Sequence, residues 1–201
     1  KEGLKELALR LAKTTKGEMR DSAIMYLGRN KIKEAMLIFE DYLKQQTKDK
    51  EILCAQHVSI YALKEMGTDK SIELIARYGL KSKDKDIKIE AAEILINTPE
   101  EREAIEVIRQ MIKEPKIEKE IAEKLVYFGN GLRYKNKKEA IDIWIELLKV
   151  PKAHVLAREY LEETTGKDFR RLPEGMIITK KMLEEYIKKW EVWWEQNKDT
   201  F

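Results

Sequence analysis

The sequence predicts an all-α fold, an α-solenoid built from stacked helix pairs. Three observations carry that prediction. Apolar residues recur at spacings of three and four along the chain, and nothing alternates at two for long enough to make a strand. Helix breakers are scarce, with 9 glycines and 4 prolines among 201 residues, which disfavours turn-rich β structure. A pattern of small and large residues also returns with a period of about 30–36 residues, two helices per unit.

Bulk composition sets the outer limits. At 38% charged and 43% hydrophobic, the chain has neither a disordered nor a membrane-embedded composition, and no apolar run reaches bilayer length. The 40 basic and 37 acidic residues leave a net charge of +3. That balance describes a solvated, charge-mixed surface and is no nucleic-acid signature. Cys54 is the only cysteine, so no intrachain disulfide exists, and its place in "EILCAQHV" predicts a buried structural thiol. The chain begins at Lys1 without Met, which suits a removed leader as well as a trimmed cytosolic chain. The expectation is an exported or cell-envelope protein ahead of a cytoplasmic one.

Helices are expected at about 2–15, 17–29, 31–46, 50–66, 68–81, 84–97, 99–113, 116–129, 137–149, 152–165 and 179–197. Residues 2–15 form an amphipathic opening helix. The next helices alternate between two types. The first type carries a small or apolar residue followed four later by Leu: Ala23/Leu27, Ser59/Leu63, Ala91/Leu95, Ile121/Leu125 and Ala157/Leu161. The second follows a short turn and has its small position at Ala35, Ser71, Ala104 or Ala140. Small residues let helices approach, and Leu, Ile and aromatic residues fill the layer between them. Each unit exposes apolar faces that only its neighbours can cover.

Punctuation supports these limits. Gly67 ends one helix and Thr68 caps the next. Asp84 or Asp86 starts the helix after that. Thr98, Pro99 and Glu101 read as N-cap, first helical residue and capping-box acid, and Thr179 starts the last helix. "GNGLRY" (129–134) reads as a helix-ending turn in which Gly129 and Gly131 supply positive φ. "GMIIT" (175–179) reads as extended loop.

The stretch "EMRDSAIMYLGRNKIKEAMLIFEDYL" (18–43) resembles the short HEAT-like repeat of bacterial proteins, with Arg20, Ala23, Leu27, Gly28 and Ala35 in that family's positions. The interval from Gly28 to Ala35 is much shorter than the corresponding one in tetratricopeptide repeats. "LEETTGKDF" (161–169) and "WEVWWEQN" (190–197) are similar to the closing segment of many bacterial HEAT-like proteins, although Thr164 stands where Leu is usual and the spacer is longer. The resemblance implies a right-handed α-α superhelix forming one domain over 1–201. Residues 1–16 would be an N-terminal cap, 17–165 the repeats, and 166–201 a turn and a Trp-rich capping helix. Leu183, Tyr186, Ile187, Trp190, Trp193 and Trp194 would cover the last repeat, with one of the adjacent tryptophans pointing partly away.

Catalytic and metal-binding signatures do not emerge. His57 and His154 have no metal-motif company, and His57 is read as part of a helix face. The clustered carboxylates sit on Lys/Glu-rich helix faces suited to i, i+4 pairing. No phosphate loop is present, so neither a cofactor nor an enzymatic activity is expected. In a stack of helix pairs the turns line one edge, which here carries Arg29, Lys31, Lys33 and Lys70. Further along come Arg133, Lys135, Lys137, Lys138, Lys167, Arg170 and Arg171, with Tyr134 and Phe169 interleaved. The opposite edge is lysine-rich as well ("KEPK", "KVPK"). The expected function is a non-catalytic protein-interaction scaffold whose partner sits on the inner surface or on turns 129–138 and 164–175. The alternative is nucleic-acid binding along the basic edge.

Overall fold

The computed structural model describes residues 2–169 and 179–201. Among these the fold is all-α, with eleven α-helices and no strand. None of those helices is long and apolar enough to cross a membrane. The chain divides into two compact units, Lys1–Ile108 and Arg109–Phe201.

The first unit contains α1 (Glu2–Thr14), α2 (Gly17–Arg29), α3 (Met36–Leu43), α4 (Lys50–Met66), α5 (Asp69–Leu74), α6 (Lys85–Leu95) and most of α7 (Glu101–Ile112). A 3-10 turn, Lys33–Ala35, leads into α3, and a π turn, Ile75–Gly79, extends α5. Helices two apart in sequence pack together: α2 on α4, and α4 on α6. The α2–α4 approach is close because Gly28 has no side chain. A Cβ there would lie 2.6 Å from the Ala62 Cα, a backbone collision that would force the helices apart.

Side chains close the helix ends much as their spacing implies. Thr68 and Ser71 form a reciprocal capping box on α5, Asp84 caps α6, and Gly67 ends α4 in the left-handed region with φ 60°. One frame differs. α7 starts at Glu101, whose Oε2 accepts from the Asn97 amide at 2.7 Å. The reach-back therefore lands one residue before Thr98, and Thr98 Oγ1 accepts from the Glu100 amide instead.

The second unit contains α8 (Lys119–Leu132), α9 (Lys137–Leu147), α10 (His154–Thr165) and α11 (Lys180–Asn197), which a 3-10 turn, Lys198–Thr200, follows. α9 packs on α8, α10 and α11, and α8 packs on α10. At the centre is Trp144, fully buried. Its indole donates to the Val126 carbonyl at 3.1 Å, and its ring stacks on Tyr160 with centroids 5.3 Å apart. Gly129 makes that possible, since a Cβ there would lie 2.5 Å from the Trp144 indole nitrogen. The turn reading of "GNGLRY" is thereby corrected. α8 runs on to Leu132, and Gly129 is needed for space, not for positive φ.

Every small or Leu position of the repeat pattern is buried, from Ala23 and Leu27 to Ala157 and Leu161, and so are Ala35, Ser71, Ala104 and Ala140. On α11, Trp190 and Trp194 are buried while Trp193 is half-exposed. Trp190 meets Phe169 edge-on at 4.8 Å. Burying each large aromatic contributes roughly 2–3 kcal/mol. Arg109 ties three carboxylates of α9 together. It donates to Glu139 at 2.8 Å, to Asp142 at 3.3 Å and to Glu146. Asp142 also accepts the indole N–H of Trp194, which fastens α11 to α9.

Candidate functional site

Five of the residues nominated by sequence, Arg133, Tyr134, Lys135, Lys137 and Lys138, gather around the α8–α9 turn. Its shape comes from the end of α8, where the amides of Lys135 and Asn136 both return to the Leu132 carbonyl at 2.9 and 2.8 Å. Asn136 then caps α9 by accepting from the Glu139 amide. Between these closures the chain presents Arg133, Tyr134 and Lys135.

Arg133 is held firmly. Its guanidinium donates to Glu163 of α10 at 3.1 Å and to the Tyr134 hydroxyl at 2.8 Å. Its carbon lies 4.8 Å from the Tyr134 ring centroid and 5.6 Å from that of Tyr160. Tyr160 in turn stacks on the buried Trp144. A continuous column thus runs from the core to Tyr134, a residue that is 72% exposed. An exposed aromatic fixed from behind loses little freedom on contact with a partner.

The remaining nominated residues divide by environment. Lys138 pairs with Asp199 at 3.1 Å. The Lys137 ammonium sits 4.6 Å from the Phe201 ring, and Phe201 packs against Trp193 and Trp194. Lys135 and Lys167 are exposed, and neither forms an ion pair among the described residues. Phe169 is half-buried against Trp190 and Trp193, so it belongs to the aromatic packing of α11 and is not a free ring on the edge. Arg170 and Arg171, and most of the 164–175 turn proposed from sequence, lie outside the described residues. The leftover ring of the tryptophan pair is Trp193, which lines a shallow groove with Phe169 and Val192.

Sequence reading missed Glu163, Tyr160, Asp199 and Phe201 as parts of this surface. They come from α10 and the chain end, and no periodic signal links them to the α8–α9 turn.

Two titratable groups in the first unit are better defined than their sequence suggested. Cys54 is exposed, not buried, because it falls on the outer face of α4. Its thiol donates to Asp21 at 3.2 Å, and that bond holds its pKa above the ordinary thiol value, which keeps it a poor nucleophile. His57 meets Glu90 of α6, with Nδ1 2.7 Å from Oε2. The bond to Glu90 raises the imidazole pKa against the opposing effect of burial, with Asp84 and Asp86 adding to the rise. The folded value lies above the unfolded one, so this stabilisation is complete below about pH 6.5 and fades as pH rises through the folded value. Thermal unfolding between about pH 6 and pH 9 should therefore show a midpoint that falls with pH, and His57→Gln should flatten that fall. Equal slopes for the two proteins would remove the pair from the stability account.

No group of three or more His, Cys, Asp or Glu side chains among the described residues is placed to hold a metal ion. No protein-family model matches the chain, and no curated protein matches it significantly.

Proposed function

We propose that this chain is a non-catalytic protein-interaction module, a right-handed α-solenoid of HEAT-like helix pairs closed by a Trp-rich helix. Packing between helices two apart, α2 on α4, α4 on α6 and α8 on α10, together with burial of every repeat position, supports the solenoid reading. The partner surface is the α8–α9 turn. The observation that carries this reading is Tyr134, a highly exposed residue braced by Arg133 and Glu163 beside Lys135, which forms no ion pair among the described residues. Tyrosine fixed in this way is a common energetic anchor of protein interfaces.

Nucleic-acid binding along the same edge ranks second. Two of its cations, Arg133 and Lys138, already face carboxylates, which reduces the positive field available to a phosphate backbone.

Affinity capture from native extract, with and without nuclease and at two salt concentrations, tests the reading. The wild-type chain should retain a nuclease-insensitive protein partner, and Tyr134→Ala should weaken that retention about tenfold or more. Retention that vanishes with nuclease and falls steeply with salt would establish the second reading instead. Retention indifferent to Tyr134 would move the surface elsewhere.

A further inference from the structure

We propose that the cleft between the α7–α8 and α9–α10 turns docks an acidic peptide segment in extended form, at a site separate from the Tyr134 surface. The two turns share one design. Lys113-Glu-Pro-Lys116 and Lys149-Val-Pro-Lys152 carry Lys, Pro and Lys at matching positions. Each closes in the same way, Glu114 N to the Met111 carbonyl at 3.2 Å and Val150 N to the Leu147 carbonyl at 3.0 Å. Between them lies an open cleft of about 920 Å³, a size typical of ligand sites.

The chemistry of the cleft is divided. Pro115, Ile117, Val150 and Pro151 supply an apolar wall. Lysines border it, and Lys113, Lys116 and Lys152 form no ion pair among the described residues, whereas Lys149 is taken by Glu191 at 2.7 Å. At the back, Glu146 pairs with Arg109, which it shares with Glu139 and Asp142, and Glu114 is engaged elsewhere. Of the lining charges, Lys113, Lys116 and Lys152 are left to face a ligand against Glu118, an excess of positive charge. Residues 116–118 lie outside any helix, and Glu118 is extended at φ −68° and ψ 153°. Their amides donate to no backbone carbonyl among the described residues. An extended peptide can pair with such a segment while its alternate side chains point to opposite sides. Carboxylates on one side then reach the lysines, and apolar side chains on the other meet the prolines, Ile117 and Val150. A nucleic-acid backbone fits less well, because a sugar–phosphate chain offers no apolar side chains to the wall of Pro115, Ile117, Val150 and Pro151.

The test is fluorescence anisotropy of the full chain with a short fluorescein-labelled peptide of alternating Glu and Leu. A Gln–Leu peptide of the same length and a single-stranded oligonucleotide of the same charge serve as comparisons. The Glu–Leu peptide should bind saturably and lose affinity about tenfold or more on Lys113→Gln/Lys152→Gln. Ile117→Ser should weaken it too, and Tyr134→Ala should leave it unchanged. Absence of saturable binding, equal binding of the Gln–Leu peptide, tighter binding of the oligonucleotide, or indifference to the lysine pair would each overturn the proposal. If circular dichroism shows the lysine variant to be unfolded, the ligand comparison on the wild-type chain decides alone.

Discussion

Trp144→Ala should lower unfolding stability by about 3–5 kcal/mol, the largest loss expected of any single substitution in the second unit. Three separate effects add at this position. The largest buried side chain of α9 disappears, and the cavity it leaves is framed by helices whose spacing Gly129 has already set for an indole. The hydrogen bond to the Val126 carbonyl is lost. Tyr160 loses its stacking partner, and with it the support behind Arg133 and Tyr134. Urea unfolding measures the first two effects. The third predicts that any partner held at Tyr134 weakens in step, although Trp144 never touches it. A loss below about 1 kcal/mol would mean that the ring is not packed as described.

Arg109→Leu should be the second most damaging change, at about 2–3 kcal/mol. Breaking a buried ion pair by removing one member typically costs 3–5 kcal/mol. The value expected here is lower because Glu139, Asp142 and Glu146 keep side-chain exposures of 34%, 37% and 24% and can rehydrate. Without the guanidinium, three carboxylates on successive turns of α9 repel one another. Part of the loss should therefore return in Arg109→Leu/Glu146→Gln, which removes one of the repelling charges. If the double variant is no more stable than the single one, repulsion is not the cause. If the single variant costs under about 0.5 kcal/mol, the cluster behaves as ordinary solvated ion pairs.

Long-period features of this fold were legible in the sequence, and short-range exceptions were not. The Leu and small positions of the repeat are all buried because burial of a helix face follows directly from spacing. α2 and α4 lie where periodicity put them, and Gly67 ends α4 as its place in the sequence implied. Gly129 was misread because a glycine gives one signal for two needs, a left-handed turn and a close neighbour. Only knowing that Trp144 lies opposite separates them. Cys54 was misassigned because one outward position on an apolar helix looks like its inward neighbours. At the candidate site, the turn carrying Arg133, Tyr134 and Lys135 was recognisable. The partners that decide which cations are free, Glu163 and Asp199, are 30 and 61 residues away in sequence and leave no local trace. The paired Lys-x-Pro-Lys turns were visible as lysine-rich stretches, but their apolar wall depends on which residues the fold brings face to face.

The π turn at Ile75–Gly79 bears on how this chain can change in length. In a regular helix one residue more or fewer rotates everything beyond it by about 100°, turning a core face toward water. A π turn holds a surplus residue within a single wider loop of backbone. Losing one residue there would let the loop relax to ordinary α geometry while the flanking stretches keep their facing. Ile75 and Gly79 would still address the core from which Ile60 and Ala91 approach Gly79. This one stretch can therefore absorb a deletion that would disrupt packing in any regular helix of the fold.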